Sequence, residues 1–159
     1  MTFRVRRLSD NLSDPARVGG DMTAGRGTRD YLVDSPTAVA QAVLTRLLLW
    51  QGEWWLNLEA GTPWLQQVLG QTPARAVPQA VIRDRILQTP YVTRIDDFTT
   101  SFDRTTRALT VSAKVETAFG PVTEAPAGAV MSPSGAVVMP LIRQYAENLR
   151  YDWQRQIPR

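Results

Sequence analysis

The sequence predicts an α+β fold: about three short helices packed on one face of a small, mostly antiparallel sheet, with extended N- and C-terminal arms. Three observations carry this. Proline-marked helix starts stand at Pro36, Pro63 and Pro78, each followed by apolar residues at helical spacing. Around residues 109–116 the pattern changes to strict apolar/polar alternation, the period of a half-buried strand. Residues 9–30 and 121–139, rich in Gly, Pro, Asp and Ser, flank the patterned region and read as arms or loops.

The first helix starts at Asp34-Ser35-Pro36, with Ser35 as N-cap and Pro36 in the first helical position. Val39, Ala40, Val43, Leu44, Leu47 and Leu48 form its apolar stripe, and it should run to about Trp50 and stop at Gly52. Thr62-Pro63 starts a shorter helix carrying Trp64, Leu65, Val68 and Leu69 before Gly70. The third begins at Pro78, turns Val81, Ile82 and Ile86 inward and Arg83, Asp84 and Arg85 outward, and ends at Pro90. Leu109, Val111, Ala113 and Val115 then alternate with Thr110, Ser112, Lys114 and Glu116. The preceding segment 92–102 pairs with this strand as an antiparallel hairpin, turning at 103–106, and its apolar phase slips between Ile95 and Phe98, the mark of a bulge. Phe3-Arg4-Val5 and residues 29–33 are short candidate strands that would extend the same sheet. Ile142, Tyr145, Leu149 and Trp153 recur at steps of three and four and predict a C-terminal amphipathic helix that either docks on a neighbour or folds back over the sheet. The chain thus divides into a basic N-terminal arm (1–29), a core domain (30–120), a Pro/Gly-rich linker (121–139) and the C-terminal helix (140–159).

Composition excludes much chemistry. The 159 residues include no Cys and no His, which removes thiolate nucleophiles, disulfides, the usual zinc sites and every Ser-His or Cys-His catalytic arrangement. No cofactor motif is present: Gly19-Gly20 and Gly25-Arg26-Gly27 lack the preceding strand and following helix of a nucleotide fold. Glycoside hydrolysis needs two carboxylates across a sugar. Among Glu53, Glu59, Asp96, Asp97 and Asp103, the adjacent Asp96 and Asp97 would point to opposite faces of a strand and form no pair. The longest apolar run, Val43 to Trp50, is broken by Thr45 and Arg46 and falls far short of the ~20 residues of a membrane span. The N-terminal residues lack the apolar stretch of a secretory signal, and first residence in a cytoplasm is expected.

Of the 18 cations 17 are Arg, and the net charge of +3 sits in residues 1–29, which hold six Arg and three Asp. Arg4, Arg6, Arg7, Arg17, Arg26 and Arg29 could draw nucleic acid by counterion release, and an accessory nucleic-acid-binding protein is the alternative reading. With three Asp interspersed and few aromatics, an acidic protein neighbour fits the arm better. Four of the five Trp lie between 50 and 64. Around Gly52 they read as core and interface packing before a sugar- or base-stacking platform. Glu53, in their midst, reads as a buried, paired structural carboxylate.

The order of Arg46-Leu47-Leu48-Leu49-Trp50, Gln51-Gly52-Glu53-Trp54, a Gly-Thr-Pro-Trp turn at 61–64, Ile82-Arg83-Asp84-Arg85-Ile86-Leu87-Gln88-Thr89-Pro90 and a hairpin ending Thr117-Ala118-Phe119-Gly120 resembles the baseplate wedge and sheath-initiator family of contractile phage tails. Its Thr89-Pro90 followed by a strand resembles the Mu-like branch, and the chain is also similar to a baseplate component of type VI secretion systems. The resemblance spans roughly residues 28–120. It implies a non-enzymatic structural subunit of the virion tail baseplate, without cofactor or small-molecule substrate. Such a subunit clamps the core bundle of the larger wedge proteins, adjoins hub or tube proteins, and offers a sheet edge that arms of tail sheath subunits join by strand addition. The family's Glu-Pro-Arg corresponds here to Thr89-Pro90-Tyr91, which keeps only the proline; Arg94 or Glu53 would supply the missing charge. The partner-binding residues expected on these grounds are Trp50, Glu53, Trp54, Trp64, Thr89, Pro90, Tyr91, Arg94, Tyr145 and Trp153.

Overall fold

A computed structural model describes residues 2–8, 22–68, 76–103, 108–126 and 129–140. The main sheet is antiparallel, in the order β3 (Val92–Asp103), β4 (Ala108–Thr117), β7 (Val137–Pro140), β6 (Val130–Met131), with β5 (Gly120–Pro121) pairing the end of β4. Helices α1 (Pro36–Leu48) and α2 (Ala76–Leu87) pack on each other and on the sheet. The α+β expectation holds. Val43, Leu44, Leu47, Ile82 and Ile86 meet Leu109, Val111, Ala113 and Val115 in one core. The alternation along β4 is therefore the alternation of its two faces, as the sequence predicts.

Three expectations change. The segment 121–139 is not simply a linker, and the core does not close at residue 120: Val122, Val137 and Met139 are buried in it, and β7 pairs with β4 from Thr110↔Pro140 to Ala113↔Val137. The N-terminal strand does not extend the main sheet. β1 (Arg4–Arg6) and β2 (Tyr31–Val33) form a two-stranded antiparallel sheet of their own. It is fastened by the buried Gln41 of α1, whose amide donates to the Arg6 carbonyl at 2.6 Å and accepts from the Leu8 N–H at 3.1 Å, satisfying both ends of the side chain. Third, the second proline-marked helix is a single π-helical turn, Trp64–Val68, and Leu65 on it is exposed rather than core-facing. The expected C-terminal helix with Tyr145 and Trp153 lies outside the described residues, as do residues 104–106 of the expected hairpin turn.

Helix α1 starts as its sequence requires: Ser35 Oγ accepts from the Ala38 N–H at 3.2 Å and Pro36 fills the first helical position. It ends at Leu48, before Gly52, because residues 61–64 cap it from a distance. Thr62 Oγ1 donates to the Arg46 carbonyl, the Trp64 indole N–H to Leu47 and the Thr62 N–H to Leu49, at 3.2, 2.8 and 2.7 Å. Carbonyls orphaned by the helix end are thereby satisfied. The approach is close enough that Gly61, at φ +92°, would place a Cβ 2.7 Å from the Leu49 carbonyl oxygen. Gly61→Ala should therefore cost at least ~2 kcal/mol through clash and positive φ together. A urea midpoint within error of the parent would show that this cap is not held as described.

Candidate functional site

The surface with functional potential is built where both helices end and the hairpin begins. Thr89 closes α2: its hydroxyl donates to the Arg85 carbonyl at 3.1 Å and it is buried. The Val92 N–H donates to the Thr89 carbonyl at 3.1 Å, so Thr89-Pro90-Tyr91-Val92 is a tight turn with Pro90 second and Tyr91, at φ +70°, third. Type II turns favour Gly at that third position, and a non-glycine there carries strain. The Tyr91 ring offsets it by packing 4.8 Å from Phe3 and 5.2 Å from Phe119, centroid to centroid. That aromatic cluster ties the N-terminal strand to the base of the hairpin.

Arg46, in the last turn of α1, reaches across and donates through Nη1 to the carbonyl of Gln88, the residue before Thr89. Arg85 stands in the last turn of α2, one turn before that carbonyl, and both Arg are half-buried. Burial, and secondarily the neighbouring Arg85 charge, lower the Arg46 pKa below the ordinary guanidinium value. Among the described residues the ion pairs join Arg94 to Asp96 and Glu116, and neither Arg46 nor Arg85 takes part in them. Arg85, expected to face outward, is half-buried, and Arg46 joins it from the end of α1. The signal available was that both fall in the last turn of their helices.

Of the residues expected to bind partners, Pro90 and Tyr91 are at this turn, and Pro90 is exposed. Thr89 lies inside. Arg94 is engaged within the chain, 2.8 Å from Asp96 and 3.5 Å from Glu116. Glu53 is exposed rather than buried, and its carboxylate accepts from the Trp50 N–H at 3.0 Å, a turn cap rather than an ion pair. Trp50 is half-buried against the core, Trp64 is core at 2% exposure, and Trp54 is exposed. Asp96 and Asp97 are both exposed, because the expected slip in register falls between Ile95 and Asp97 and breaks the strand alternation. Further along, the outer edge of β3 pairs with no strand among the described residues. In the basic arm, Arg4 and Arg6 lie over the Tyr31 ring at 3.8 and 5.5 Å, and Arg6 Nε donates to the Thr23 carbonyl. These cations serve the N-terminal sheet.

The described residues thus form an α+β scaffold with β3 on the rim of its main sheet and two half-buried arginines near the Pro90 turn. The family model of the contractile injection system sheath initiator matches residues 10–120, and the chain belongs to that family. It is thus a structural component of a contractile injection system. No curated protein matches the chain.

Proposed function

We propose that the chain is a baseplate wedge subunit of a virion tail, or of a related tail-like particle, assembled in the producing cell's cytoplasm. The turn at Pro90 and Tyr91, with Arg46 and Arg85 beside it, grips the core bundle of the larger wedge proteins through carboxylates on their helices. The outer edge of β3 receives an extended arm of a sheath subunit, and residues 140–159, with Tyr145 and Trp153, reach a neighbouring subunit. The observation that carries the reading is the outer edge of β3, unpaired among the described residues: twelve residues of strand on the rim of the sheet of a sheath initiator. Backbone groups on such an edge are satisfied by an added strand, whose alternate side chains set register. The two register shifts at the start of β3, with exposed Arg94, Asp96 and Asp97, discourage pairing there and leave residues 98–102 as the receptive stretch.

Neighbouring residues of a strand direct their N–H groups to opposite edges. Of the separate variants Thr99→Pro and Thr100→Pro, one therefore breaks the pairing with β4 and the other removes a donor from the outer edge. The variant that keeps the parent melting temperature is the edge variant. It should enter particles at parent level but leave most of them without sheath in electron micrographs. Normal sheath on such particles would overturn the edge reading.

A further inference from the structure

The loop between α1 and the π-helical turn displays apolar side chains that lie outside the core formed by the described residues. Trp54, Trp55, Leu56, Leu58 and Leu65 are between 44% and 80% exposed. Isolated exposed apolar residues are ordinary, but five large ones from a single loop and the turn it leads into are not. The loop is shaped to present them. Its base is closed by the Gln51 N–H donating to Thr62 and the Thr62 N–H donating to Leu49, at 3.0 and 2.7 Å. Within it the Glu53 carboxylate caps Trp50, the Asn57 N–H donates to Trp54, and the Asn57 side chain accepts from the Glu59 N–H at 3.1 Å. A backbone so braced has already lost the conformational entropy that docking would otherwise cost.

Charge decides among occupants. Residues 51–61 carry Glu53 and Glu59 and no cation. A symmetric contact between two copies of this loop would oppose carboxylate to carboxylate, and an anionic lipid surface would repel both. We infer that this loop is a docking knob for a protein partner within the assembly, one that presents an apolar pocket rimmed by Lys or Arg. Trp54 and Trp55 supply the buried anchors, as interface tryptophans commonly do, and Glu53 and Glu59 meet the cationic rim. The inference rests on the assembly role proposed above but concerns a different surface from the Pro90 turn and the β3 edge.

The test places a photo-crosslinking amino acid at position 55 of the full chain in producing cells and maps the crosslinked peptides. Alongside it, Trp55→Ser/Leu58→Ser and Glu59→Lys variants are scored for their amount in purified tail particles. The expected result is a crosslink to one tail structural protein, at apolar residues flanked by Lys or Arg. Incorporation should fall about tenfold or more for the double variant and by a smaller factor for Glu59→Lys, both chains keeping the parent melting temperature, since these side chains are exposed. Crosslinks only to a second copy, to lipid or to an acidic segment, an absence of crosslinks, or parent-level incorporation of the folded double variant would each overturn it. Absence of the parent chain from particles would overturn the proposed function and the knob with it, whereas a parent chain present in particles but without such a crosslink would overturn the knob alone.

Discussion

Trp64→Ala should destabilise the domain by about 3–5 kcal/mol, the range for removing a fully enclosed aromatic ring. The ring belongs to the central core cluster, and its indole N–H donates to the Leu47 carbonyl near the end of α1. Alanine leaves both a cavity and an unsatisfied carbonyl. Domains of this kind hold only about 5–15 kcal/mol in total, so the variant should be substantially unfolded at modest denaturant. Trp64→Phe separates the two effects: it keeps most of the ring volume but loses the donor, and should cost about 1–3 kcal/mol. Urea unfolding followed by circular dichroism checks both. A loss under about 1 kcal/mol for Trp64→Ala would mean that the capping of α1 by residues 61–64 is wrong. Because the effect arises in the core, particles should lack the Trp64→Ala chain through its instability, with no bearing on any partner surface.

The same tryptophan shows where sequence reading reaches its limit. Trp54, Trp55 and Trp64 lie within eleven residues of one another, yet Trp64 is core while Trp55 is 80% exposed. Residue type cannot separate them, because the decision is made by the path of the loop, and that path is set by Thr62 and Trp64 bonding back to α1. The same contacts end α1 before Gly52. Where local chemistry decides, the reading is accurate. The Ser35-Pro36 start, the alternation along β4 and the slip after Ile95 all depend on neighbours in sequence. Where pairing is distant, the reading falls short: β7 is a four-residue strand, Val137–Pro140, whose place in the main sheet is made by β4, more than twenty residues earlier. The separate β1–β2 sheet depends likewise on Gln41, 35 residues from the carbonyl it binds. At the candidate site, Pro90 was legible through the family pattern. The pairing of Arg46 with Arg85 was not, since it exists only once the ends of α1 and α2 meet.

That pairing yields a prediction in which stability and assembly move in different directions. In the free chain, Arg85→Glu places a carboxylate near the half-buried Arg46, replacing repulsion by attraction. An acidic residue in the last turn of α2 opposes the helix dipole by about 0.3–1 kcal/mol, a cost of the same order as the gain from a partly exposed ion pair. The melting temperature should therefore stay at the parent value or rise slightly. In the assembly the same change consumes the charge of Arg46 and turns the face beside Pro90 from cationic to neutral or acidic. A partner carboxylate then loses its counter-charge, which for a desolvated pair is worth about 2–5 kcal/mol, and each 1.4 kcal/mol is a factor of ten in affinity. Incorporation into particles should fall at least tenfold while the purified chain is as stable as before. Arg85→Lys, which keeps the charge, should restore most of it. Full incorporation of a stable Arg85→Glu chain would remove the cationic grip from the mechanism. A marked loss of stability would show instead that Arg85 serves the fold, as a cation at a helix C-terminus does, and would remove it from the proposed grip.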